Sequence, residues 1–195
     1  MQNNSKTVRK TVVTAMLAAV ATVLMFIDTS VPFMPSFIKL DVSEFPALLA
    51  AFAFGPGWGA AVCLIKNLFN LIFHSTTGGV GELCNFLLGA FFVVPAGIIY
   101  KRKKTRKNAI IGSIVGAVCM AALSVPLNYF VTYPIYAQFM PLDTIIAMYQ
   151  AINPNVNGLL ACLVFFNMPF TFIKGMLDVL INVLIYKRLS PLLHG

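Results

Sequence analysis

The sequence predicts an all-α integral membrane protein: a single bundle of six transmembrane helices with both termini in the cytoplasm. Of 195 residues, 59% are hydrophobic and only 10% are charged, against about 25% charged in an average soluble domain. So few charged side chains cannot cover a water-facing surface, and the apolar excess must therefore face lipid. Because one crossing needs about 20 apolar residues, the chain holds roughly six crossings and no separate soluble domain.

The placement of the basic residues predicts the orientation. The formal charge is +8, and most Lys and Arg residues lie in three short segments: before the first apolar run, at 101–107, and after the last run. The positive-inside rule assigns such segments to the cytoplasm. The basic residues are therefore interpreted as topology signals and not as a nucleic-acid surface.

The first half of the chain contains three predicted spans. Span one, 11–27, is a continuous apolar run that extends past its small residues, which favours an uncleaved helix over a signal peptide. Span two, 43–54, is short; Ser43 is its predicted N-cap and Pro46 lies in its first turn. A tight turn is predicted over the glycine-rich segment 55–59. Span three then covers 60–74.

The second half contains the other three spans. Span four, 82–100, ends at the basic cluster, which must be inside. Span five covers 108–133, and an external loop follows, with a possible short helix at 145–152. Span six covers 159–186 and is long enough to bend at Pro169.

Four of the predicted spans carry polar side chains at helical spacing, although such groups are costly in hydrocarbon. One common interior would hold all four stripes in a polar pocket that opens to the outside, flanked by aromatic residues such as Tyr129, Phe130 and Tyr133. Two simpler interpretations stay open: single Asn residues joining helices, and a neutralising Lys174–Asp178 pair. The stripes are Lys66, Asn67, Asn70 and His74; Glu82 and Asn85; Ser124, Asn128 and Thr132; and Asn167, Thr171, Lys174, Asp178 and Asn182.

The side-chain types favour a planar, uncharged or weakly charged heterocycle with a hydroxylated tail, because amides and Lys offer hydrogen bonds beside flat apolar walls. The carboxylates show no paired spacing, so a metal site is not expected. The four cysteines are interpreted as small buried hydrophobic residues. The chain lacks a phosphate-binding loop, so energy for transport must come from a partner or an ion gradient.

Span one also carries a small-residue face formed by Ala15, Ala18, Ala19 and Thr22. Such a face lets another helix approach closely. It serves either packing within the bundle or docking of a partner membrane protein.

Five segments in consistent order then identify a family: FIKLDVSEFPA at 37–47, IKN at 65–67, 81–86 in span four, LNY at 127–129, and 169–175 in span six. Together they resemble the riboflavin-specific substrate-binding (S) subunits of energy-coupling factor (ECF) vitamin transporters. The similarity extends over nearly the whole chain.

The resemblance implies a non-enzymatic protein of the prokaryotic plasma membrane, without a cofactor, that binds riboflavin from outside. It implies assembly with a transmembrane coupling protein and two cytoplasmic ATPases, and docking of the coupling protein at Ala15 and Ala19. ATP hydrolysis by the partners would drive uptake.

The resemblance also implies roles for eight residues. Asn128 and Lys174 would contact the isoalloxazine ring, and Thr171, where the family usually has Asn, would assist. The other five complete the site: Asn67, Glu82 and Asn85 would hold the ribityl hydroxyls, and the loop with Lys39 and Asp41 would close the entrance.

Two alternatives remain. One is an S subunit for another vitamin or for flavin mononucleotide. The other is a small intramembrane enzyme acting on lipid phosphates, with the cluster at 101–107 binding head groups.

Overall fold

The computed structural model describes residues 2–32, 34–35, 38–75, 77–138 and 140–194, with side chains between residues 7 and 185 of these ranges. Phe37, the first residue of the loop signature, lies outside the described residues. So do the side chains of Lys6, Lys187 and Arg188.

The described chain is almost entirely helical and has one short antiparallel strand pair. Two π-helical turns, Asn128–Thr132 and Leu163–Asn167, continue α5 into α6 and α8 into α9. The elements are α1 (Gln2–Phe26), β1 (Thr29–Ser30), β2 (Lys39–Leu40), α2 (Glu44–Phe54), α3 (Pro56–Phe73), α4 (Val80–Arg102), α5 (Arg106–Leu127), α6 (Tyr133–Tyr136), α7 (Leu142–Gln150), α8 (Leu159–Cys162) and α9 (Met168–His194).

Five stretches of the described chain are long and apolar enough to cross a membrane: Thr7–Phe26, Pro56–Phe73, Val80–Arg102, Arg106–Tyr136 and Leu159–Ile185. The remaining apolar helix, α2, has 11 residues. At 1.5 Å per residue it rises about 17 Å, against about 30 Å of hydrocarbon. The protein is thus a helical membrane protein with five helices of crossing length.

Helix α2 is the centre of the bundle. Residues 46–52 are all buried, so this part of the helix is covered on every side. Helix α2 packs against α1, α3, α4 and α9. A helix that is apolar on every side is stable only when neighbours cover every side. This central position explains why α2 carries no amphipathic pattern.

The turn between α2 and α3 is tighter than the predicted turn over 55–59. Gly55 alone separates the helices, with φ of 113°, a conformation that glycine adopts readily. Pro56 then begins α3, a favoured position because its missing N–H is not needed there. Gly59 lies inside α3, where an added Cβ would be 2.6 Å from Cβ of Ala51.

Helices α4 and α5 form a tightly packed antiparallel pair. A Cβ added at Gly116 would lie 2.3 Å from the carbonyl oxygen of Phe92, and one at Gly112 would lie 2.8 Å from that of Ala96. The turn joining the two helices contains the exposed basic residues of 101–107. Any group at the start of α4 or the end of α5 therefore lies at the opposite end of the bundle from this basic turn.

Both π-helical turns end two residues before a proline: Thr132 precedes Pro134, and Asn167 precedes Pro169. Proline lacks the N–H for a helical hydrogen bond, and its ring crowds the carbonyl four residues earlier. A wider turn accommodates the proline within a continuous helix. The bend predicted at Pro169 therefore coincides with a π-helical turn just before it.

The loop from α1 to α2 folds over one end of the bundle. Its strands β1 and β2 pair Thr29 with Leu40 and Ser30 with Lys39. The Lys39 ammonium lies 2.9 Å from the Asp28 carboxylate. The two ends of the loop are thereby held together.

Candidate functional site

A cavity of about 200 Å³ lies at the end of the bundle opposite the basic turn. Side chains from the α1–α2 loop and from α1, α3, α4, α5 and α9 line its walls. Seven of the eight predicted substrate-binding residues are among them: Lys39, Asp41, Glu82, Asn85, Asn128, Thr171 and Lys174.

Asn67, the eighth, lies behind the cavity wall. Its Nδ2 donates to the carbonyl oxygen of Cys63 at 2.8 Å, and its Oδ1 accepts from Nδ2 of Asn85 at 3.1 Å. Asn67 therefore orients Asn85, which does line the cavity, so the geometry gives it a positioning role.

Lys174 is the central cation of the cavity. Its Nζ lies 2.9 Å from Oδ2 of Asp41 and 3.6 Å from Oε2 of Glu44, and it also contacts Asn85 Oδ1 at 3.4 Å. The charge of Lys174 is thus balanced by residues distant in sequence. The simpler interpretation, neutralisation by Asp178 four residues along α9, is wrong for the described structure.

Asp41 ties the loop to α9. Its burial alone would raise the pKa of the carboxyl, but the charges of Lys174 and Lys66 and a hydrogen bond from Ser43 outweigh that effect and lower the pKa to about 2. Asp41 is therefore ionised at neutral pH and holds the loop by a charge-assisted bond.

A second ion pair lies beneath the cavity. The Nζ of Lys66 is 2.7 Å from Oε1 of Glu44, and both side chains are almost fully buried. Ser43, the predicted N-cap of α2, makes no capping bond; its hydroxyl donates to Asp41 and accepts from Lys66. The sequence correctly places Ser43 at the start of the helix, but its hydroxyl bonds the buried charged side chains and not the helix backbone.

Neutral donors surround the carboxylate of Glu82. Nδ2 of Asn70 donates to it at 3.1 Å and the hydroxyl of Thr77 at 2.8 Å. Asn128 also lines the cavity: its Nδ2 donates to the carbonyl oxygen of Ser124 at 2.8 Å, and Sγ of Cys84 on α4 lies 3.6 Å from its Oδ1. The polar lining of the cavity thus includes both a carboxylate and an amide.

A hydrogen-bonded group outside the eight predicted binding residues lies at the cavity wall next to helix α7. Oδ1 of Asn167 accepts from the hydroxyl of Tyr149 at 2.7 Å, and Tyr133 bonds both residues. Asn167 could have been added from the sequence, because it heads the polar stripe of span six. Tyr149 gave no such signal, since its partners are distant in sequence.

The aromatic residues expected around the pocket divide into two sets. Tyr133 is buried and lines the cavity, whereas Tyr129 and Phe130 are 39% and 72% exposed on the outside of the bundle. The π-helical turn at 128–132 sets which of these rings faces inward.

The cavity can bind a polar, partly aromatic molecule through amides, carboxylates, the ammonium groups of Lys39 and Lys174, and tyrosine rings. Within the described ranges, no three His, Cys, Asp or Glu side chains group as a metal site.

The small-residue face of α1 has two sides. Ala18 and Thr22 are buried inside the bundle, while Ala15 and Ala19 are exposed. Packing within the bundle therefore uses only one side of the face, and the other is open.

Comparison with known proteins gives the family. The model of the ECF transporter, substrate-specific component, matches residues 9–186. Riboflavin transporter RibU of Staphylococcus aureus (strain TCH60) is 38% identical over 193 residues, which is 99% of this chain and 94% of that protein. Riboflavin transporter FmnP of Bacillus subtilis (strain 168) is 32% identical over 188 residues, which is 94% and 93%.

A solved structure agrees with the sequence matches. It is described as the S component of a bacterial ECF transporter, has a TM-score of 0.76 and 36% identity to this chain, and the match covers all of both chains. Since the family match runs from α1 into α9, the chain belongs to the substrate-specific components of ECF transporters, which are membrane-embedded transport subunits and not enzymes.

Proposed function

We propose that this protein binds riboflavin on the extracytoplasmic side of the cell membrane, as the S subunit of an ECF importer. The observation that carries the proposal is the convergence of Asn128, Thr171 and Lys174 in one cavity at the end of the bundle opposite the basic turn. Relatives with nearly full-length matches are named riboflavin transporters, which supports the choice of ligand.

In this proposal the chain crosses the membrane six times, with the segment 43–54, which contains α2, as the short second crossing. Both termini and the basic turn lie in the cytoplasm, in agreement with the positive-inside rule. The spans follow the sequence estimate, with one membrane domain over the whole chain. Cysteine substitution at Lys104 tests the cytoplasmic position of the basic turn. A membrane-impermeant thiol reagent should label residue 104 only after the membrane is permeabilised.

The site roles follow from the cavity walls. Asn128 and Lys174 bond the edge of the isoalloxazine ring, and Thr171 assists between them. Glu82 and Asn85 hold the ribityl hydroxyls, with Asn67 fixing Asn85, because these groups offer hydrogen-bond donors and acceptors. The loop with Lys39 and Asp41 closes the entrance.

We further propose assembly with a transmembrane coupling protein and two cytoplasmic ATPases, which supply the energy for release. The exposed pair Ala15 and Ala19 is the proposed contact with the coupling protein, since small residues allow close helix approach. Replacing both by Leu should prevent co-purification of the partners and leave riboflavin binding intact.

Riboflavin binding is tested by quenching of flavin fluorescence on titration with purified protein. Lys174→Ala and Asn128→Ala should each weaken binding by about tenfold to a hundredfold, the cost of one or two polar contacts. Lys104→Ala and Asn108→Ala, in the basic turn and the first turn of α5, are the matched controls and should bind normally. No quenching at micromolar riboflavin by the unmodified protein rejects the proposal, and normal binding by both site variants removes these residues from the site.

A further inference from the structure

Asp178 is a buried acidic side chain to which the proposed site gives no role. It lies on α9 one turn beyond Lys174 and is fully buried. Neither of its carboxylate oxygens has a hydrogen-bond partner in the described structure. An ionised carboxylate in such surroundings carries a large desolvation cost unless a cation or donors compensate it.

The nearby cations are already used by other carboxylates. The groups whose charges reach Asp178 come from the loop, α2, α3 and its own helix: Asp41, Glu44, Lys66 and Lys174, with the thiol of Cys63 beside them. Lys66 pairs with Glu44 at 2.7 Å and Lys174 with Asp41 at 2.9 Å. Two ammonium groups thus balance two carboxylates, and an ionised Asp178 would leave this buried cluster with one net negative charge.

No hydrogen-bond donor reaches the carboxylate of Asp178 from the described residues. Oδ1 of Asn182, one turn further along α9, is another buried acceptor without a partner in the described structure. A protonated carboxyl group is a donor as well as an acceptor. A proton on Asp178 therefore removes the excess charge and adds a donor where acceptors are unsatisfied.

We propose that Asp178 is a proton-binding site: its carboxyl is protonated while Asp41 holds Lys174, and it ionises to become the counter-ion of Lys174 when Asp41 leaves. In that exchange the Lys174–Asp41 ion pair breaks, the O–H bond of Asp178 breaks, and the proton passes to water in the opened cavity. The charge of the cluster stays balanced, because Glu44 and Asp178 then face the two lysines.

The exchange of counter-ions would accompany entry of the ligand into the cavity. This part of the proposal rests on the proposed function. A cavity of about 200 Å³ is smaller than the roughly 300 to 1,000 Å³ of most ligand pockets, so a flavin would need a wall of the cavity to move. The loop bearing Asp41 is the wall that the ion pair with Lys174 holds in place. Opening of the loop would then release a proton, and closure would take one up.

Infrared spectroscopy tests the proton without any ligand. At neutral pH, the purified protein should show the carbonyl stretch of a protonated carboxylic acid. Asp178→Asn should remove this band. Asp143→Asn, a matched change at an exposed position of α7, should keep it. Asp178→Leu, another neutral side chain of similar size, replaces the Asn variant if that variant does not fold.

Asp41→Asn tests the exchange, because it deprives Lys174 of its partner permanently. The Asp178 band should then disappear at neutral pH. Absence of the band in the unmodified protein, or its survival in Asp178→Asn, overturns the protonated state. A band that persists in Asp41→Asn overturns the exchange. Since none of these spectra involves riboflavin, a failure here is distinct from a failure of flavin binding.

Discussion

Replacing Lys66 by Met should destabilise the protein by about 3 kcal/mol, near the lower end of the 3–5 kcal/mol expected when one partner of a buried ion pair is removed. Lys66 and Glu44 are 0% and 1% exposed and lie 2.7 Å apart, so Glu44 would lose its main counter-ion in apolar surroundings. The lower end is expected because Nζ of Lys174 remains 3.6 Å from Glu44 and the hydroxyl of Ser43 remains at 3.3 Å.

A second substitution isolates the electrostatic cost. In Lys66→Met with Glu44→Gln, no uncompensated charge remains, and stability should return to within about 1 kcal/mol of the unmodified protein. Lys104→Met, a Lys→Met change in the exposed basic turn, is the control and should change stability by less than about 0.5 kcal/mol.

Unfolding in mixed micelles titrated with a denaturing detergent can measure these differences. Trp58 is the single tryptophan and packs against Phe54, at 6.4 Å between ring centroids, so its fluorescence reports separation of α2 from α3. A cost below about 1 kcal/mol for Lys66→Met, or a double variant no more stable than the single one, would refute the reasoning.

Three further predictions concern the α1–α2 loop, helix α7 and the packing of α4 against α5. The pKa of Asp41 is lowered from 3.8 to about 2, so its ionised form contributes about 2 kcal/mol to the free energy of unfolding above pH 4. This contribution is lost as the pH falls towards 2. Asp41→Asn should therefore flatten the stability–pH curve over that interval. Tyr149→Phe removes a donor to a buried amide and should cost about 1–3 kcal/mol, seen as faster hydrogen exchange in α7, whereas Tyr129→Phe at an exposed position should not change exchange there. Gly116→Ala inserts a methyl group against the α4 backbone and should lower the free energy of unfolding by about 1–3 kcal/mol. Gly57→Ala, with open space around it, should leave the free energy of unfolding nearly unchanged.

The grouping of predicted polar residues around one cavity has a clear physical origin. Residues three or four apart on a helix share one face, so the stripes through Asn128 and through Thr171 and Lys174 could be recognised without coordinates. In lipid such stripes must turn towards the bundle interior, and this requirement brings residues from separate helices into one cavity. Asn67 shows the limit of the argument, because helical spacing gives the face but not whether a side chain reaches the cavity or supports one that does.

The ion pairs could not be predicted in the same way. Lys174 and Asp178 have ideal helical spacing, yet Lys174 pairs with Asp41, a residue 133 positions away in sequence. Within one helix the spacing offers a candidate partner, but the folded bundle brings several carboxylates close to the same ammonium group. The hydrogen bonds and distances in the folded state, and not sequence separation, select among them.

Composition and periodicity are sufficient to establish that this chain is a helical membrane protein with an inward-facing polar surface, because lipid imposes length and polarity limits on every span. The recurrent motifs point to the family. Only the tertiary structure shows that α2 is a short central helix with residues 46–52 buried, and that the π-helical turn at 128–132 leads directly into the inward-facing Tyr133. The tertiary structure alone also shows the ion pair between Asp41 and Lys174 and the carboxylate of Asp178 without a hydrogen-bond partner among the described residues. Both depend on contacts between elements that are remote in the chain.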